Sequence, residues 1–162
     1  MRKNLIFTDR EVSFLKELNC RKVEYMIVGL SAAGLQGAPV VTQDVDLWFK
    51  DLEDPGIEKA LEKVGGIFIH SIGLNPPMFA GDAVKFFDIV LNMHGLGSFE
   101  QEVKGAEIFK LGNVPVRVLP LSRIIRSKTA LGREKDKIVM KVLKDALKLV
   151  RSLPVPRGRK RK

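Results

Sequence analysis

Three aspartates placed among apolar residues are the side chains best suited to chemistry in this sequence. Asp44 and Asp46 interrupt the apolar segment VTQDVDLWF (residues 41–49), and Asp88 lies inside FFDIVL (residues 86–91). Alternate residues of a strand face the same side, so Asp44 and Asp46 are expected to project together, about 6 to 7 Å apart along the backbone. Ionised carboxylates among apolar residues are costly unless a charge compensates them, and a divalent cation does so most directly. Three such acids on adjacent strands predict a Mg²⁺ site, and two ions about 3.5 to 4 Å apart suit in-line attack on phosphorus.

Each aspartate also has a simpler explanation that stays open at this point. Asp44 could be a turn residue that starts the strand, and Asp46 could face solvent from an edge strand. Asp88 could form an ion pair with the nearby Lys85. For any single aspartate the simpler explanation is favoured, whereas the combination of all three with the turn described next favours a shared site.

A glycine turn precedes the first two aspartates. The segment VGLS (residues 28–31) ends an apolar strand at Gly29 and begins a short helix at Ser31. Glycine lets the backbone approach a ligand closely, and a helix N-terminus offers free N–H groups beside the serine hydroxyl. These features favour phosphate binding, and the alternative is a strand-to-helix turn that binds nothing.

The charge of the chain is concentrated at its C-terminal end. The net charge is +9, but residues 1–122 carry 13 Lys and Arg against 16 Asp and Glu, whereas residues 123–162 carry 15 against 3. Such polarity favours a polyanionic partner near that end, either nucleic acid or nucleotide phosphates. The alternative is a soluble helix face followed by a disordered tail.

The elements that must position these residues are those of one domain of mixed α/β (α+β) class. Residues 1–121 are predicted to form the core, residues 122–151 C-terminal helices packed on that core, and residues 152–162 a disordered basic tail. No apolar run approaches the roughly 20 residues of a membrane span, and no signal peptide is recognised, so a cytoplasmic protein is expected. The single cysteine excludes an internal disulfide framework and a cysteine metal cluster.

Several local predictions can be compared with the structure. TDREVSFLKELNC carries a capping-box spacing and predicts a helix, and the Gly112-Asn113 dipeptide predicts a hairpin. IFIH (residues 67–70) and VKFFDIVL (residues 84–91) are expected to form a long hairpin. Ser122 is expected to cap a C-terminal helix. The last helix is expected to turn one side inward, made of Ile138, Val142, Ala146 and Val150.

Taken together, these segments resemble the DNA polymerase β-type nucleotidyltransferase superfamily. The resemblance consists of Gly-x-Ser after an apolar strand, then TQDVDL (residues 42–47), then a third acid in an apolar strand. The stretch GLSAAGLQGAPVVTQDVD is most similar to the small bacterial and archaeal branch, which includes antibiotic nucleotidyltransferases and toxin-like enzymes. VRVLPLSRIIRSKTALGREKDKIVMKVL resembles the strand and K-x4-R-x2-D helix of that branch, so the likeness covers residues 23–147.

The resemblance implies a fold and a role for each matched residue. The fold is a mixed, mostly antiparallel sheet flanked by helices, with a C-terminal helical segment. Asp44 and Asp46 would ligate Mg²⁺ bridging the triphosphate, and Asp88 would complete a second metal site and act as or orient the base. Phosphate-contacting roles fall on Gly29, Ser31, Lys128 and Arg133, with Asp136 orienting the two basic side chains. For the last three residues, the alternative is a solvated helix face with a local ion pair.

The expected activity is transfer of a nucleoside monophosphate from an NTP to a hydroxyl, with release of pyrophosphate. Two Mg²⁺ ions, or Mn²⁺ in their place, are the expected cofactors, and ATP is among the candidate substrates. The acceptor is RNA, a tRNA end bound through the basic C-terminal region, or a small molecule. A toxin-like member would also bind an antitoxin protein. The competing hypothesis is a non-catalytic module that binds nucleic acid or a partner protein on a degenerate nucleotidyltransferase fold.

Overall fold

The computed structural model describes residues 7–152. The predicted basic tail therefore lies outside the described residues, apart from Ser152, which ends the last helix. The helices are α1 (Asp9–Cys20), α2 (Gly29–Leu35), α3 (Pro55–Lys63), α4 (Phe99–Glu102), α5 (Leu121–Leu131) and α6 (Glu134–Ser152), with a 3₁₀ turn at Val103–Gly105. The strands are β1 (Tyr25–Val28), β2 (Val45–Phe49), β3 (Ile67–Ile69), β4 (Met78–Ala80), β5 (Phe87–Val90), β6 (Glu107–Leu111) and β7 (Val114–Val118). None of the helices within the described range is long and apolar enough to span a bilayer.

A five-stranded mixed sheet forms the centre of the fold, in the order β5-β2-β1-β7-β6. β1 pairs antiparallel with β2 and parallel with β7, while β5 pairs parallel with β2 and β6 pairs antiparallel with β7. Every residue of β1 is buried, as expected for a strand at the middle of a sheet. The prediction of a mixed α/β sheet with flanking helices and a C-terminal helical segment is confirmed.

Helix α1 begins where the capping-box spacing predicts. The N–H of Glu11 donates to Thr8 Oγ1 at 3.4 Å, and the N–H of Thr8 donates to Glu11 Oε2 at 3.0 Å. Each side chain thus satisfies one backbone donor that the first turn leaves free. Phe14, Leu15 and Leu18 on the inner face are fully buried, so the helix is anchored by its apolar side.

The hairpin predicted between residues 67–70 and 84–91 is wrong. β3 pairs instead with β4, a three-residue strand inside the Gly/Pro-rich segment, and the two form a separate small sheet. Phe79 of β4 is buried against Phe14, Phe49 and Phe68, and this aromatic contact holds the small sheet on the core. β5 is therefore free to join the main sheet beside β2.

The hairpin predicted at Gly112-Asn113 is confirmed between β6 and β7. Gly112 has φ +64°, whereas Asn113 does not have a positive φ, which matches the glycine-first pattern of a type II′ turn. Val114, Val116 and Val118 alternate inward along β7. This strand leads directly into the C-terminal helices.

The start of α5 differs from the prediction. The helix begins at Leu121 with Pro120 as the N-cap, and no side chain caps it, so Ser122 lies inside the helix. One free donor of the first turn, the N–H of Leu121, is satisfied from outside the helix, because it donates to Gln36 Oε1 at 2.9 Å. Gly132 ends α5 in the left-handed conformation with φ +60°, as the interruption in the pattern suggested.

The buried side of α6 also differs from the prediction. Ile138 is 79% exposed and Val150 47% exposed, whereas Leu143 and Ala146 are buried. Residues repeated every four positions drift around a helix of 3.6 residues per turn, so Ile138 and Val150 lie about 120° apart and cannot share one face. The side that packs on α5 is instead the one that carries Asp136, Leu143 and Ala146.

Candidate active site

Two of the three aspartates are neighbours across adjacent strands. β2 and β5 run parallel, and Asp46 and Asp88 are register partners. On the other side of β2, Asp46 is the register partner of Val28, the last residue of β1. Partners on adjacent strands lie about 4.8 Å apart in the direction of the hydrogen bonds and point to the same face. The sheet therefore places Asp46 beside the end of β1, where the glycine turn begins, with Asp88 on the next strand beyond it.

Asp44 lies one residue before β2 and is exposed. Its N–H donates to Thr42 Oγ1 at 3.2 Å, so Asp44 lies in the irregular segment that leads into β2. β2 is flanked by β5 and β1, which excludes the edge-strand explanation for Asp46. Lys85 lies over the ring of Phe86, with its Nζ 5.2 Å from the ring centre. Within residues 7–152, no ion pair joins Lys85 to Asp88, which is exposed on the sheet edge.

The carboxylates destabilise one another's charge. Burial raises the pKa of Asp46 to about 6, with a further increase from the nearby charges of Asp88 and Asp44, while Lys128 and Arg133 act in the opposite direction. Burial and the charge of Asp44 also raise the pKa of Asp88. A cation bound between these oxygens would relieve both effects, because an opposite charge favours the ionised form.

Gly29 makes room for the Asp46 carboxylate. Its φ is +68°, in the left-handed region that side chains disfavour. A Cβ at this position would lie 2.2 Å from Asp46 Oδ2. Glycine is therefore required here both by backbone conformation and by the close approach of a side chain.

Ser31 connects the turn to the second strand. Its side chain is buried, its hydroxyl donates to the carbonyl of Val28 at 3.0 Å, and it accepts from the N–H of Asp46 at 3.4 Å. The hydroxyl proton is thus already used within the protein. In this structure Ser31 fixes the position of the Asp46 backbone relative to the end of β1.

The basic residues of the C-terminal helices are held by a buried acid. Asp136 is 2% exposed and accepts from Arg133 Nε at 2.6 Å, Arg133 Nη2 at 3.0 Å and Lys128 Nζ at 3.3 Å. The hydrogen bond from Arg133 holds the pKa of Asp136 below its usual value, and Lys128 adds to the effect. Both basic groups lower the pKa of Asp46, so the trio lies within electrostatic reach of that carboxylate. The local ion pair expected by the simpler explanation is present, but Asp136 is not on a solvated face.

Gln36 positions these helices, and no local signal in the sequence indicates it. Its Nε2 donates to the carbonyl of Leu119 at 2.9 Å, and its Oε1 accepts from the N–H of Leu121 at 2.9 Å. The side chain therefore connects the end of α2 to the first residue of α5. Only the tertiary structure reveals this role, since the partners are more than 80 positions away.

The donor set suits a hard cation, although the side chains are not gathered around one. Carboxylate oxygens are the ligands that Mg²⁺ prefers, and Asp46 and Asp88 are adjacent. In the part of the chain that the structure describes, no group of three His, Cys, Asp or Glu side chains is close enough to hold a metal ion. Because Asp44 and Asp88 are exposed, a cation would have to draw their carboxylates toward Asp46.

Comparisons with known proteins bear on the fold. No protein-family model matches the chain, and no curated protein matches it. The chain is similar to a solution structure of the antibiotic-resistance factor ANT(2'')-Ia, with a TM-score of 0.57, 14% sequence identity and 86% of each chain covered. It is also similar to a crystal structure of ANT(2")-Ia in complex with adenylyl-2"-tobramycin, with a TM-score of 0.47, 16% identity, and 83% of this chain and 95% of that chain covered. ANT(2'')-Ia is an aminoglycoside nucleotidyltransferase, and the chain therefore has a nucleotidyltransferase-type fold.

Proposed function

We propose that the protein is a nucleotidyltransferase that moves a nucleoside monophosphate from an NTP to a hydroxyl acceptor and releases pyrophosphate. The observation that carries the proposal is the register pairing of Asp46 with Asp88 on a nucleotidyltransferase-type fold. The raised pKa of both acids supports it, because perturbed carboxylates cluster at functional sites, where a cationic ligand can compensate their charge.

Asp44, Asp46 and Asp88 are the residues that would hold two Mg²⁺ ions, or Mn²⁺ in their place. When bound, such ions neutralise phosphate charge and lower the pKa of a coordinated hydroxyl. The mutual repulsion of the three carboxylates supports this assignment, as does their oxygen chemistry. Asp46 is the central residue, since its pKa responds to both of the others.

The chemical step requires a base for the acceptor. The acceptor oxygen forms a bond to the α-phosphorus, the bond from that phosphorus to the bridging oxygen breaks, and pyrophosphate leaves with the electron pair. The acceptor proton passes to Asp88, which is exposed at the sheet edge and has a raised pKa suited to receiving a proton. Asp88 thus acts as the base.

The phosphates of the NTP would lie between the glycine turn and the C-terminal helices. Gly29 and Ser31 are assigned to the β- and γ-phosphates, with Ser31 acting through its backbone N–H because its hydroxyl donates to Val28. Lys128 and Arg133 are assigned to neutralising phosphate charge, held in place by Asp136. Burial raises the pKa of Asp46 to about 6 despite the positive charge of these two residues, which supports the binding of a further cation.

The second candidate is a non-catalytic module on the same fold. The observation that favours it is the absence, within residues 7–152, of a preformed cluster of three metal-ligating side chains. In that case no metal-bound NTP would bind at the carboxylates. The basic C-terminal helices would instead bind nucleic acid or a partner protein.

One experiment separates the two candidates. The full chain is incubated with each labelled NTP, Mg²⁺ or Mn²⁺, and pools of RNA, tRNA, proteins and aminoglycosides, beside the variants Asp46→Asn and Asp82→Asn. We expect transfer by the wild type and by the control Asp82→Asn, whose aspartate is exposed on a surface turn. Changing a residue that supports a metal ligand costs about 10- to 100-fold in activity. Asp46→Asn removes a proposed ligand itself, so its transfer activity should fall by more than that. If no acceptor is labelled and NTP binding does not depend on the metal, the enzyme hypothesis is refuted; transfer surviving in Asp46→Asn would refute the assigned site.

A further inference from the structure

We propose that one face of α6 binds the phosphate backbone of a single-stranded RNA whose 3′ end is the acceptor. The inference rests on the proposed function, because it names the acceptor class of the same site. It concerns five exposed basic residues, here termed the basic row: Lys137, Lys141, Lys144, Lys148 and Arg151.

The basic row lies along a single side of the helix. Its members are separated by four, three, four and three positions, the spacing that keeps side chains on one face of an α-helix. From Lys137 to Arg151 the row extends about 21 Å at 1.5 Å per residue. The buried Leu143 and Ala146 belong to another face, so the row is directed away from the core.

The basic row begins at the candidate active site. Arg133 precedes Lys137 by four positions and is the residue whose carbonyl accepts from the N–H of Lys137, so it continues the same side of the helix. Arg133 is bound to Asp136, which also accepts from Lys128 of α5, and α5 packs against α2, whose first residue Gly29 lies against Asp46. A chain of phosphates that follows the row toward the N-terminal end of α6 is therefore led toward the glycine turn and Asp46.

The positive charge of the basic row is largely uncompensated by the protein. Lys137 pairs with Glu134 at 3.0 Å, but both side chains are mostly exposed, and such a pair contributes little. Within the described residues, the other four members of the row form no ion pair. Asp136 is buried and already bound, which leaves Asp145 as the remaining acid of α6.

A nucleic-acid strand fits the basic row better than an acidic protein does. Protein interfaces are centred on apolar and aromatic anchors, whereas this row consists of lysines and one arginine. The exposed Ile138 and Leu149 of α6 lie outside it. Evenly spaced cations suit the repeated phosphates of a backbone, and a single line of them suits one strand.

RNA is the strand that the chemistry of the site favours. An acceptor hydroxyl must reach Asp88 at the exposed sheet edge, which requires a free, unpaired end. The terminal nucleotide of an RNA carries both a 2′- and a 3′-hydroxyl, whereas a DNA end carries the 3′-hydroxyl alone. In the proposed reaction one of these terminal hydroxyls gives its proton to Asp88, its oxygen bonds to the α-phosphorus of the NTP, and pyrophosphate leaves.

The test compares two variants of the full chain that lose the same charge. In the row variant, four lysines of the basic row become glutamine: Lys137, Lys141, Lys144 and Lys148. In the control variant, four exposed lysines elsewhere become glutamine: Lys16, Lys59, Lys63 and Lys104. Both keep residues 153–162, so any contribution of that segment is common to them. The probe is a labelled oligouridine long enough to cover the row, measured by fluorescence anisotropy at several salt concentrations.

We expect the row variant to bind the oligouridine at least about tenfold more weakly at moderate salt, because the sequence-independent phosphate contacts are lost. The slope of log affinity against log salt should become shallower by about 3, at about 0.7 per lost contact to a single strand. The control variant should keep most of the wild-type affinity. Equal losses in the two variants, or no loss in the row variant, would overturn the proposal.

Two further arms separate this inference from the proposed function. Metal-dependent NTP binding should be the same in the row variant and the wild type, since Arg133 is unchanged. If the wild type binds NTP but does not bind oligouridine, the RNA-binding inference is refuted and the proposed function is not. If oligouridine binds through the basic row but the protein neither binds NTP nor transfers a nucleotide, the enzyme hypothesis is refuted and the RNA-binding role of the row is supported. Equal labelling of an oligodeoxythymidine, or a row that binds polyglutamate and not RNA, would also overturn the assignment to RNA.

Discussion

Asp46 and Asp136 form an informative pair, because both are largely shielded from solvent and both interact with Lys128 and Arg133. Burial raises the pKa of Asp46 to about 6. The hydrogen bond from Arg133 holds the pKa of Asp136 below its usual value. Two aspartates with the same basic neighbours thus differ in the direction of their shift.

The difference lies in direct contact. Asp136 accepts three hydrogen bonds from the two basic side chains, at 2.6 to 3.3 Å. Within residues 7–152, no donor is hydrogen-bonded to the carboxylate of Asp46, and the charges of Asp88 and Asp44 raise its pKa further. Burial without a partner disfavours the charged form, whereas burial with hydrogen bonds favours it.

Under the proposed function, Asp136 is an acid that positions basic side chains, and Asp46 is one that would bind a cationic ligand. Asp136 has its partners within the protein, so its charge is used to hold Lys128 and Arg133. Asp46 is left with like charges around it, which the folded chain tolerates at a cost in stability. The same change from aspartate to asparagine should therefore have opposite effects on stability at the two positions.

The largest effect on stability is expected for Asp136→Asn. The substitution leaves Lys128, whose side chain is 13% exposed, without its ionic partner, and should lower the free energy of unfolding by about 3 kcal/mol. Lys128 and Arg133 should also lose their fixed positions, so the KM for the NTP should rise more than kcat falls. Urea unfolding at pH 7.5 and steady-state kinetics measure the two effects.

Glu102→Gln is the matched control for this prediction. Glu102 is 9% exposed and accepts from Arg123 Nε and Nη2 at 2.6 and 2.9 Å, so its ion pair is with Arg123 and not with Lys128 or Arg133. It should destabilise the protein while leaving metal-dependent NTP binding unchanged. If both variants weaken NTP binding equally, Asp136 has no specific role in positioning the basic residues.

The next effect concerns the space that Asp46 occupies. Gly29→Ala places a Cβ 2.2 Å from Asp46 Oδ2 at φ +68°, whereas Gly65→Ala has a similar φ of +75° and no atom within 4 Å. The control should cost about 1 kcal/mol from backbone conformation alone, and Gly29→Ala about 2 to 3 kcal/mol because the carboxylate must also move. Thermal unfolding gives the difference, and equal costs would show that Asp46 moves aside freely.

The sequence predicted the strands around the candidate site where the signal was local. The apolar residues around Asp46 and Asp88 predict two strands, and those strands exist as β2 and β5. The capping-box spacing of α1 and the turn at Gly112 likewise depend on residues that are neighbours in the chain. Such patterns can be read from one segment, because the atoms that stabilise it are within that segment.

Contacts between residues far apart in the chain determine the features that the sequence did not predict. The strand β4 is three residues long inside a Gly/Pro-rich segment, and it exists because Phe79 packs among distant aromatic rings. The orientation of α6 depends on Asp136 reaching Lys128 on another helix, which apolar periodicity does not record. The requirement for Gly29 comes from a side chain on the neighbouring strand, not from a ligand alone.

The smallest effect expected is a gain in stability for Asp46→Asn in the metal-free protein. The pKa of Asp46 is about 6 in the folded chain, against about 3.9 for an unfolded aspartate. Between these values the folded state binds more protons than the unfolded state, so stability falls as the pH rises from about 4 to about 6 and then stays level. Asparagine has no such charge, and the variant should be more stable by about 1 to 2 kcal/mol at pH 7.5. The gain should vanish below about pH 4, where the wild-type carboxyl is protonated in both states.

Urea unfolding at several pH values, with Asp82→Asn as the control, checks this. A variant less stable than the wild type at pH 7.5 would mean that Lys128 and Arg133 already compensate Asp46, and that its charge needs no ligand.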